Sequence, residues 1–319
     1  MKKLLIVLCL LICLFGCNSS KTNAKYHVGV IQFAKHEALD SATNGFKDAL
    51  EEEFGDEVWV DVKPASGDGN TCNVIASSFV AENVDLILGN ATPALQSAAH
   101  ATSSTDIPVL GTAVTEYGTA LEIEMHDGLT MRNVSGTSDL APLEDQAKMF
   151  KELLPNAKTI GLLYCSTEKN SIYQIDTIEG LLNNLGLETK RYSFSTSGEL
   201  DLTVSKACGE IDALYVPTDN TCADNGGIIA NAANVNNIPV ITGEKNTLLS
   251  CEGLASLSID YYELGRQTGE MAIKILKGEK DIKDMKIEFY NNPVKLYSEK
   301  KANEFNISIP SNYQKIEEN

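Results

Sequence analysis

Two segments in different halves of the chain have the same order of elements. In the first, an apolar run at 84–88 and a polar turn lead through a helical stretch to Ile107-Pro108-Val109, and in the second the apolar run at 211–216 leads in the same way to Ile238-Pro239-Val240. Each copy predicts a strand, a turn, a helix and a second strand, an alternation typical of parallel sheets covered by helices. The repeat therefore predicts an α/β fold made of two doubly wound lobes.

Periodic apolar residues predict the other elements of the first copy. Runs at 28–33 and 58–62 predict strands, and the run at 74–81 predicts a helix. Helical spacing predicts another helix with one buried face, formed by Leu39, Ala42, Phe46, Ala49 and Leu50. At about 150 residues per domain, a chain of 319 residues has room for two such lobes.

The first 16 residues have the pattern of a lipoprotein signal peptide. A basic start and an apolar run at 4–14 end in Leu14-Phe15-Gly16-Cys17, which predicts cleavage just before Cys17. A transmembrane helix is the alternative, but a span needs about 18 apolar residues, and the polar run at 18–23 ends this one too soon. We therefore expect a flexible tether at 17–25 and a lipid on Cys17 that anchors the protein to the outer face of the cell membrane.

The charge of the chain excludes two classes of partner. The formal net charge is −18, and loss of the two leader lysines makes the remaining chain two units more negative. Such a charge repels phosphate backbones and anionic lipid headgroups, so we expect no nucleic-acid binding and no adsorption to lipid surfaces. A cationic or zwitterionic ligand is favoured.

Cysteine and histidine spacing predicts neither a disulfide framework nor a metal centre. The cysteines beyond Cys17 have no close spacing and are expected to be small buried side chains, although one bridge between an unspecified pair stays open: Cys72, Cys165, Cys208, Cys222 and Cys251. The histidines show no paired metal-binding spacing: His27, His36, His100 and His126. We therefore expect no dedicated metal site and no cofactor.

Polar peptides follow the predicted strands in both halves of the chain. Ligands of doubly wound sheets bind beyond the carboxyl ends of the strands, so two facing lobes would enclose a ligand between these ends. The first lobe offers Gln32, Asn90 to Thr92 and Thr112 to Thr115. The second lobe offers Ser166 to Ser171, Thr218 to Asn220 and Gly243 to Glu244.

Asp219 has two interpretations. Its position before a predicted helix suits an N-cap, which is the more common role of an aspartate at such a place. Alternatively, its carboxylate receives the ammonium group of a ligand through a charge-assisted hydrogen bond. Thr92, before Pro93, also has two interpretations. Its hydroxyl either caps the following helix or, together with the free N–H groups of the helix start, binds the carboxylate of a ligand.

No catalytic motif is present in the sequence. It contains no G-x-S-x-G elbow and no Walker loop, and Gly67-Asp68-Gly69 lacks the third glycine of a dinucleotide fingerprint. Asp260 and Glu263 have the spacing of a capping box and predict the start of a helix. The alternative from another class is a secreted α/β hydrolase with Asp219 or Glu168 as acid or base, which turnover of a substrate would distinguish.

Six ordered motifs between about Tyr26 and Pro310 resemble a known family. They are Gln32 with His36 and Leu39-Asp40, Ala91 to Ala94, Val134 to Asp139, Leu153 to Gly161, Val216 to Asn220 and Ile259 to Gly269. The set resembles the substrate-binding lipoproteins of ABC importers of the tryptophan and tyrosine type. The resemblance implies a type I periplasmic-binding fold, with two Rossmann-like lobes joined by a three-crossover hinge. It also implies a monomer that is not an enzyme and that delivers a small amino-acid-like ligand, aromatic in this family, to ABC permease and ATPase subunits.

The resemblance further implies which residues contact the ligand. They are Gln32, Thr92, Thr112, Thr115, Ser138, Asp139, Glu168, Asn170, Ser171, Asp219, Asn220 and Glu244, and Asn90 and Val114 at the same strand ends complete the predicted set. Phe33, Tyr117 and Tyr164 lie near these strand ends, and each either stacks on an aromatic ligand or belongs to the core.

Three crossovers between the lobes are expected near Asp139, Ser256 and Glu288. They divide the chain into a first lobe of 26–138 plus 256–287 and a second lobe of 139–255 plus 288–319. A sensor lipoprotein with the same fold, which presents its closed form to a membrane kinase, is a further alternative. Copurification of partners would distinguish it from an importer subunit.

Overall fold

The computed structural model describes residues 24–317. The predicted signal peptide, Cys17 and most of the predicted tether lie outside the described residues. Within them, no helix has the length and the apolar character needed to cross a membrane.

The first part of the chain alternates strands and helices. Its strands are β1 (Tyr26–Gln32), β2 (Val58–Pro64), β3 (Leu86–Asn90), β4 (Val109–Val114) and β5 (Val134–Ser138). Its helices are α1 (Glu37–Phe54), α2 (Gly69–Ala81), α3 (Thr92–Ala101) and α4 (Tyr117–Leu121), and a short 3₁₀ turn spans Gly55–Glu57. The four helices connect five parallel strands, as the apolar periodicity predicts.

The middle of the chain repeats this alternation. Its strands are β6 (Thr159–Cys165), β7 (Glu188–Phe194), β8 (Ala213–Val216), β9 (Val240–Thr242) and β10 (Ala255–Ser258). Its helices are α5 (Leu143–Leu153), α6 (Lys169–Asn184), α7 (Ser197–Cys208), α8 (Asn220–Asp224), α9 (Gly226–Asn236) and α10 (Lys245–Ser250).

The last part of the chain contributes to both sheets. It contains α11 (Tyr261–Leu276), a 3₁₀ turn at Ile282–Asp284, β11 (Glu288–Phe289), β12 (Val294–Tyr297), α12 (Glu299–Glu304) and β13 (Gln314–Lys315). The first sheet has the order β11-β5-β4-β3-β1-β2 and the second β13-β12-β10-β9-β8-β6-β7. Among the strands of residues 24–317, β12 alone runs antiparallel to its neighbour, β10. The predicted class, two doubly wound α/β lobes, is confirmed.

The chain crosses between the lobes three times. The first crossing follows Ser138 at the end of β5, as expected from the sequence. The second follows Ser258, because β10 pairs with β9 in the second sheet while α11 packs against α1 of the first lobe. The third lies between Phe289 and Val294, because β11 pairs in parallel with β5 and β12 pairs with β10.

The predicted boundaries at Ser256 and Glu288 therefore come too early. Ser256 is fully buried in the second sheet, opposite Leu296, and Glu288 lies opposite Thr137 in the first sheet. Strands of four and two residues are too short to leave a periodic signal in the sequence.

Helices α1 and α11 cross at very short distance. A Cβ atom on Gly45 would lie 2.0 Å from the carbonyl oxygen of Tyr262, and one on Gly265 would lie 2.0 Å from that of Ala42. Only glycine allows this approach. The crossing attaches the segment that returns from the second lobe to the first lobe.

The cysteines beyond the leader behave as predicted. Within residues 24–317 they are buried, with free thiols: Cys72, Cys165, Cys208, Cys222 and Cys251.

Candidate functional site

The two lobes meet around a small cavity at the carboxyl ends of their strands. The cavity has a volume of about 20 Å³, enough for about one water molecule. It is lined by His36, Ala38, Leu39, Ala113 and Thr115 of the first lobe, Asp139 and Tyr261 at the crossings, and Asn170, Thr218, Asp219, Asn220, Ala223, Glu244 and Thr247 of the second lobe. The lobes are therefore closed at the strand ends, where the facing side chains leave little space.

Asp139 lies at the first crossing and is buried. Its carboxylate accepts hydrogen bonds from the hydroxyl of Thr115 at 3.1 Å and from the hydroxyl of Tyr261 at 3.0 Å. Burial raises the pKa of Asp139 to about 6, and the nearby Glu244 carboxylate acts in the same direction. The two hydroxyl bonds act in the opposite direction but only partly offset the loss of hydration.

Asp219 caps α8. One carboxylate oxygen accepts from the backbone N–H of Cys222 at 2.8 Å, and the other accepts from that of Cys165 at 2.7 Å, which confirms the capping interpretation. Burial and the neighbouring Glu168 carboxylate raise the pKa of Asp219. Each oxygen has a second lone pair, and Asp219 lines the cavity, so a role for it in ligand binding stays a prediction.

Glu168 also accepts hydrogen bonds from the first residues of α8. Its two oxygens accept from the backbone N–H groups of Asn220 at 3.0 Å and Thr221 at 2.9 Å, and also from the side chains of both residues. Glu168 does not line the cavity. The carboxylate positions Asn220, which does.

Glu244 caps α10 in a similar way. Its carboxylate accepts from the backbone N–H of Asn246 at 2.6 Å and from the backbone and hydroxyl of Thr247. Unlike Glu168, Glu244 borders the cavity. Asp139, Asp219 and Glu244 therefore place three buried carboxylates around one small space, and among the described residues no lysine or arginine lines it.

Two buried polar atoms at the cavity have no hydrogen-bond partner among the described residues. One is Oδ1 of Asn170 in the second lobe, whose Nδ2 donates to the carbonyl of Thr218 at 2.9 Å. The other is Nδ1 of His36 in the first lobe, whose Nε2 lies 3.3 Å from Oδ1 of Asn220. Such atoms are costly to bury alone, so they mark positions where a ligand would complete the hydrogen bonding.

Contacts between the lobes surround the cavity. The amide of Asn246, oriented so that both its atoms are satisfied, accepts from the backbone N–H of Ala38 at 3.0 Å and donates to Glu37 at 3.3 Å. Farther out, the ammonium of Lys169 pairs with Glu122. The first turn of α1 is thus covered by the second lobe.

Some predicted contact residues support α1 and do not line the cavity. The amide of Gln32 donates to Asp40 at 2.6 Å and accepts from the Thr43 hydroxyl at 2.8 Å. The Asn90 amide donates to the same hydroxyl at 2.9 Å and to the carbonyl of Leu39 at 2.8 Å. These bonds fix the first turns of α1 above the ends of β1 and β3.

Thr112 faces away from the cavity. Its hydroxyl lies 3.4 Å from that of Thr137, which in turn lies 2.7 Å from that of Thr268 on α11. The pairing of β4 with β5 shifts register between Gly111 and Val114, and Ala113 has a positive φ of 52°. This irregularity turns Ala113 and Thr115 toward the second lobe.

Other predicted contacts also lie beside the cavity without lining it. Ser138 donates to the carbonyl of Thr115 at 2.8 Å, Ser171 lies against the Asn170 amide, and Val114 is buried. Thr92 is the first residue of α3, and the N-cap is Ala91, with no side-chain capping bond. The predicted capping role of Thr92 is therefore wrong by one residue, because the helix starts before Pro93.

Of the predicted set, six residues line the cavity: Thr115, Asp139, Asn170, Asp219, Asn220 and Glu244. Ala113 and Thr218 lie within the predicted strand-end segments but were not named as contacts, and His36, Thr247 and Tyr261 were not assigned to the cleft. The motif with Gln32 contains His36, and the capping segment contains Tyr261, so both had a signal that was interpreted otherwise. The predicted cap is confirmed, since Asp260 accepts from the backbone N–H groups of Tyr262 and Glu263.

The aromatic residues near the strand ends belong to the protein interior. Phe33 and Tyr117 are buried, and the Tyr117 hydroxyl donates to the carbonyl of Thr137 at 3.0 Å. Tyr164 is partly buried and packs against the core. None of the three lines the cavity within the described part of the chain.

A family model for ABC transporter substrate-binding proteins matches residues 27–317. The chain belongs to this family. It is thus a substrate-binding protein of an ABC transporter, and its family and fold are those of solute-binding proteins.

Several known proteins are similar to this substrate-binding protein. A tyrosine-binding protein from Clostridioides difficile (strain R20291) is 38% identical over 276 residues, which cover 83% of this chain and 78% of the relative. A structure from Streptococcus pneumoniae, described as an ABC domain in complex with L-Trp, is 32% identical, with a TM-score of 0.84 and coverage of 90% of this chain and 96% of the other.

A third comparison concerns an open structure. The ligand-free, open form of a substrate-binding protein with adhesive properties from Clostridium difficile is 34% identical, with a TM-score of 0.70 and coverage of 92% of this chain and all of the other. The TM-score is lower against this open form than against the complex with L-Trp, although the two identities are nearly equal. The closed arrangement described above agrees with this difference.

Proposed function

We propose that the protein is an extracytoplasmic, lipid-anchored binding protein that captures an aromatic amino acid between its lobes and releases it unchanged to an ABC permease. The named relative binds tyrosine, and a structural neighbour holds L-Trp. The leader that ends in Cys17 supports the anchor.

The observation that carries the ligand class is the pair of unpartnered atoms on opposite sides of the cavity. Oδ1 of Asn170 can only accept a hydrogen bond, and it lies with Asp139, Asp219 and Glu244 in an acidic environment that favours an ammonium group. Nε2 of His36 donates to Oδ1 of Asn220, so Nδ1, in the first lobe at the start of α1, donates to a ligand when the imidazole is protonated. A zwitterion needs these two kinds of partner.

The carboxylate of the ligand is assigned to the first lobe. In place of Thr92 and Thr112, which do not line the cavity, the lobe offers His36, the Thr115 hydroxyl and the N-terminus of α1, where the helix dipole favours an anion. Closure is then coupled to both ends of the ligand, because each lobe holds one of them.

Binding requires the lobes to move apart and close again. Sites for small ligands are typically ~300–1,000 Å³, far above the volume of about 20 Å³ of this cavity at the strand ends. The crossings after Ser138 and Ser258 and before Val294 are the positions where a hinge can act.

Ligand analogues test the proposal. Small molecules released by denaturing the purified protein are identified by mass spectrometry, and calorimetry then compares tryptophan, tyrosine, phenylalanine and leucine. Preference for leucine would contradict the aromatic assignment, and chemical turnover of the ligand would support the hydrolase alternative.

Two further compounds test the orientation. Tyramine lacks the carboxylate, so its weak binding should not change in His36→Ala, whereas binding of tyrosine should weaken. Phenylpropionate lacks the ammonium, so its binding should not weaken in Asp219→Asn. The reverse pattern would mean that the amino acid binds in the opposite orientation.

A further inference from the structure

A second group of ligating side chains lies at the far end of the first lobe. The side chains of His27, Asp61 and Glu82 each offer one ligand atom, and these atoms lie within 4.8 Å of one another. His27 is near the start of β1, and Gln32 ends that strand five residues later, so the group is about 16 Å from the cleft end of the sheet.

Strand register brings these residues together. His27 lies opposite Trp59 in the parallel pair β1 and β2, and the two-residue period of a strand places Trp59, Asp61 and Lys63 on the face that His27 occupies. Helix α2 covers this face, and Glu82 directly follows its last residue. The three side chains come from separate elements, which is why histidine spacing in the sequence gives no sign of them.

His27 is held in place with one ring nitrogen unpartnered. Its imidazole stacks on Trp59 with ring centroids 3.9 Å apart and planes 10° apart, and its backbone N–H donates to Asp85 at 2.7 Å. Nε2 is buried and has no hydrogen-bond partner in the described part of the chain.

In the structure, the carboxylates of Asp61 and Glu82 are paired with Lys63. Nζ of Lys63 lies 3.0 Å from Glu82 and 3.5 Å from Asp61, and it also lies 4.2 Å from the centre of the Phe79 ring. The Lys63 and Glu82 side chains are both partly exposed, so both can move without disturbing the core.

We propose that His27, Asp61 and Glu82 bind a divalent transition-metal ion of the Zn²⁺ type, and that Lys63 is the internal cation which the metal displaces. One imidazole and two carboxylates are ligands that zinc accepts, with water completing the tetrahedron. Ligand atoms at 2.0–2.1 Å from zinc lie about 3.4 Å apart, so the Glu82 side chain moves inward on binding. The ion replaces the charge of Lys63 and gives Nε2 of His27 its missing partner.

The chain contains its own reporter for this site. Trp59 is the single tryptophan of the sequence, and it stacks on the proposed ligand His27. Paramagnetic Co²⁺ bound to His27 quenches tryptophan emission at this distance, whereas Zn²⁺ competes for the site without quenching. The experiment uses the protein without a polyhistidine tag and freed of bound aromatic amino acid, so that Trp59 is the only indole present.

We expect saturable quenching by Co²⁺ that Zn²⁺ reverses. His27→Gln and Glu82→Gln should each abolish the saturable phase, and the Glu82 variant keeps the test valid if the His27 variant folds poorly. His100→Gln is the matched control, since His100 is an exposed histidine on α3, and it should leave the titration unchanged. Ligand binding in the cleft should be the same in all three variants.

Lys63→Met distinguishes this site from general surface binding. Loss of an ammonium that pairs with both carboxylates should raise the Co²⁺ affinity by roughly two- to tenfold. Quenching that rises linearly without saturation, or saturable quenching that persists in His27→Gln, would overturn the proposal. An unchanged affinity in Lys63→Met would overturn the displacement by the metal.

Discussion

The hydroxyl of Tyr261 donates to Oδ2 of Asp139 at 3.0 Å, and this bond joins the first and second crossings between the lobes. Asp139 directly follows β5, and Tyr261 is the first residue of α11. A buried carboxylate therefore holds together two of the segments about which the lobes would rotate.

Asp139 should make stability depend on pH in a specific direction. Its pKa is about 6 in the folded protein and 3.8 as the ordinary value, so between these values the folded state binds the proton more strongly than the unfolded state. Its contribution is fully present below pH 3.8 and is lost as the pH rises through 6, by about 3 kcal/mol in all. Urea unfolding of the wild type and of Asp139→Asn at several pH values measures this contribution. If the free energies of unfolding of the two proteins changed with pH in parallel, the prediction would be wrong.

Asp219→Asn should weaken amino-acid binding by roughly 10- to 150-fold, because a hydrogen bond to a charged group contributes ~1.5–3 kcal/mol. It should also lower the free energy of unfolding by about 1 kcal/mol, since an asparagine has one acceptor oxygen and cannot accept from the backbone N–H groups of both Cys165 and Cys222. The matched control is Asp212→Asn. Asp212 accepts from the backbone N–H groups of Lys158 and Thr159 at the opposite end of the lobe, so calorimetry should show unchanged affinity.

Gly45→Ala should lower the free energy of unfolding by about 3 kcal/mol or more, because the new Cβ would lie 2.0 Å from a backbone oxygen that cannot move alone. Gly180→Ala is the control. Gly180 is inside α6 with no atom within 4 Å of the added Cβ, so this change should stabilise by about 0.5–1 kcal/mol. Denaturant titrations measure both changes in the free energy of unfolding, and equal changes in the two variants would contradict the close approach of α1 and α11.

Lys169→Gln should weaken ligand binding by less than about fivefold, although it removes the ion pair to Glu122 between the lobes. The Glu122 side chain is 77% exposed, and exposed ion pairs contribute little because water screens them. Lys148→Gln, which removes an ion pair within the second lobe, should leave the affinity unchanged. A much larger loss for Lys169 would indicate that its ammonium contacts the ligand.

Cys17→Ala should release the protein from the membrane or leave the leader uncut. The reason is that lipid attachment needs the Cys17 sulfur and processing depends on it. Fractionation of cells and N-terminal sequencing measure both effects. Normal cleavage with full membrane retention would exclude the lipid anchor.

The sequence contained enough to predict the two sheets, because apolar periodicity and the repeated Ile-Pro-Val strands are local signals. It also located Asp219 and Asn220 at a strand end, where topology alone places them at the cleft. Thr112 and Thr115 were both assigned to the ligand from the resemblance and from their place at a strand end. No local pattern marks the register shift that turns Thr115 toward the cleft and leaves Thr112 beside Thr137.

Contacts between distant parts of the chain were beyond local reasoning. Tyr261 meets Asp139 only because the chain returns from the second lobe, and His27 meets Glu82 only because α2 packs over β1. Which of several acids becomes buried depends on such packing, so the carboxylates around the cavity could be named as candidates but not ranked.

Because the cavity is so small, the closed form of the protein without a ligand competes with the form that binds one. His36 bonds Asn220 across the lobes, and Asn246 bonds Glu37 and the backbone N–H of Ala38, in a closed form whose cavity has a volume of about 20 Å³. Every molecule in that form is withdrawn from the pool able to accept an amino acid, so the measured dissociation constant equals the intrinsic one divided by the fraction of open molecules. The affinity of this protein is therefore set as much by how well its lobes fit each other as by how well they fit the ligand.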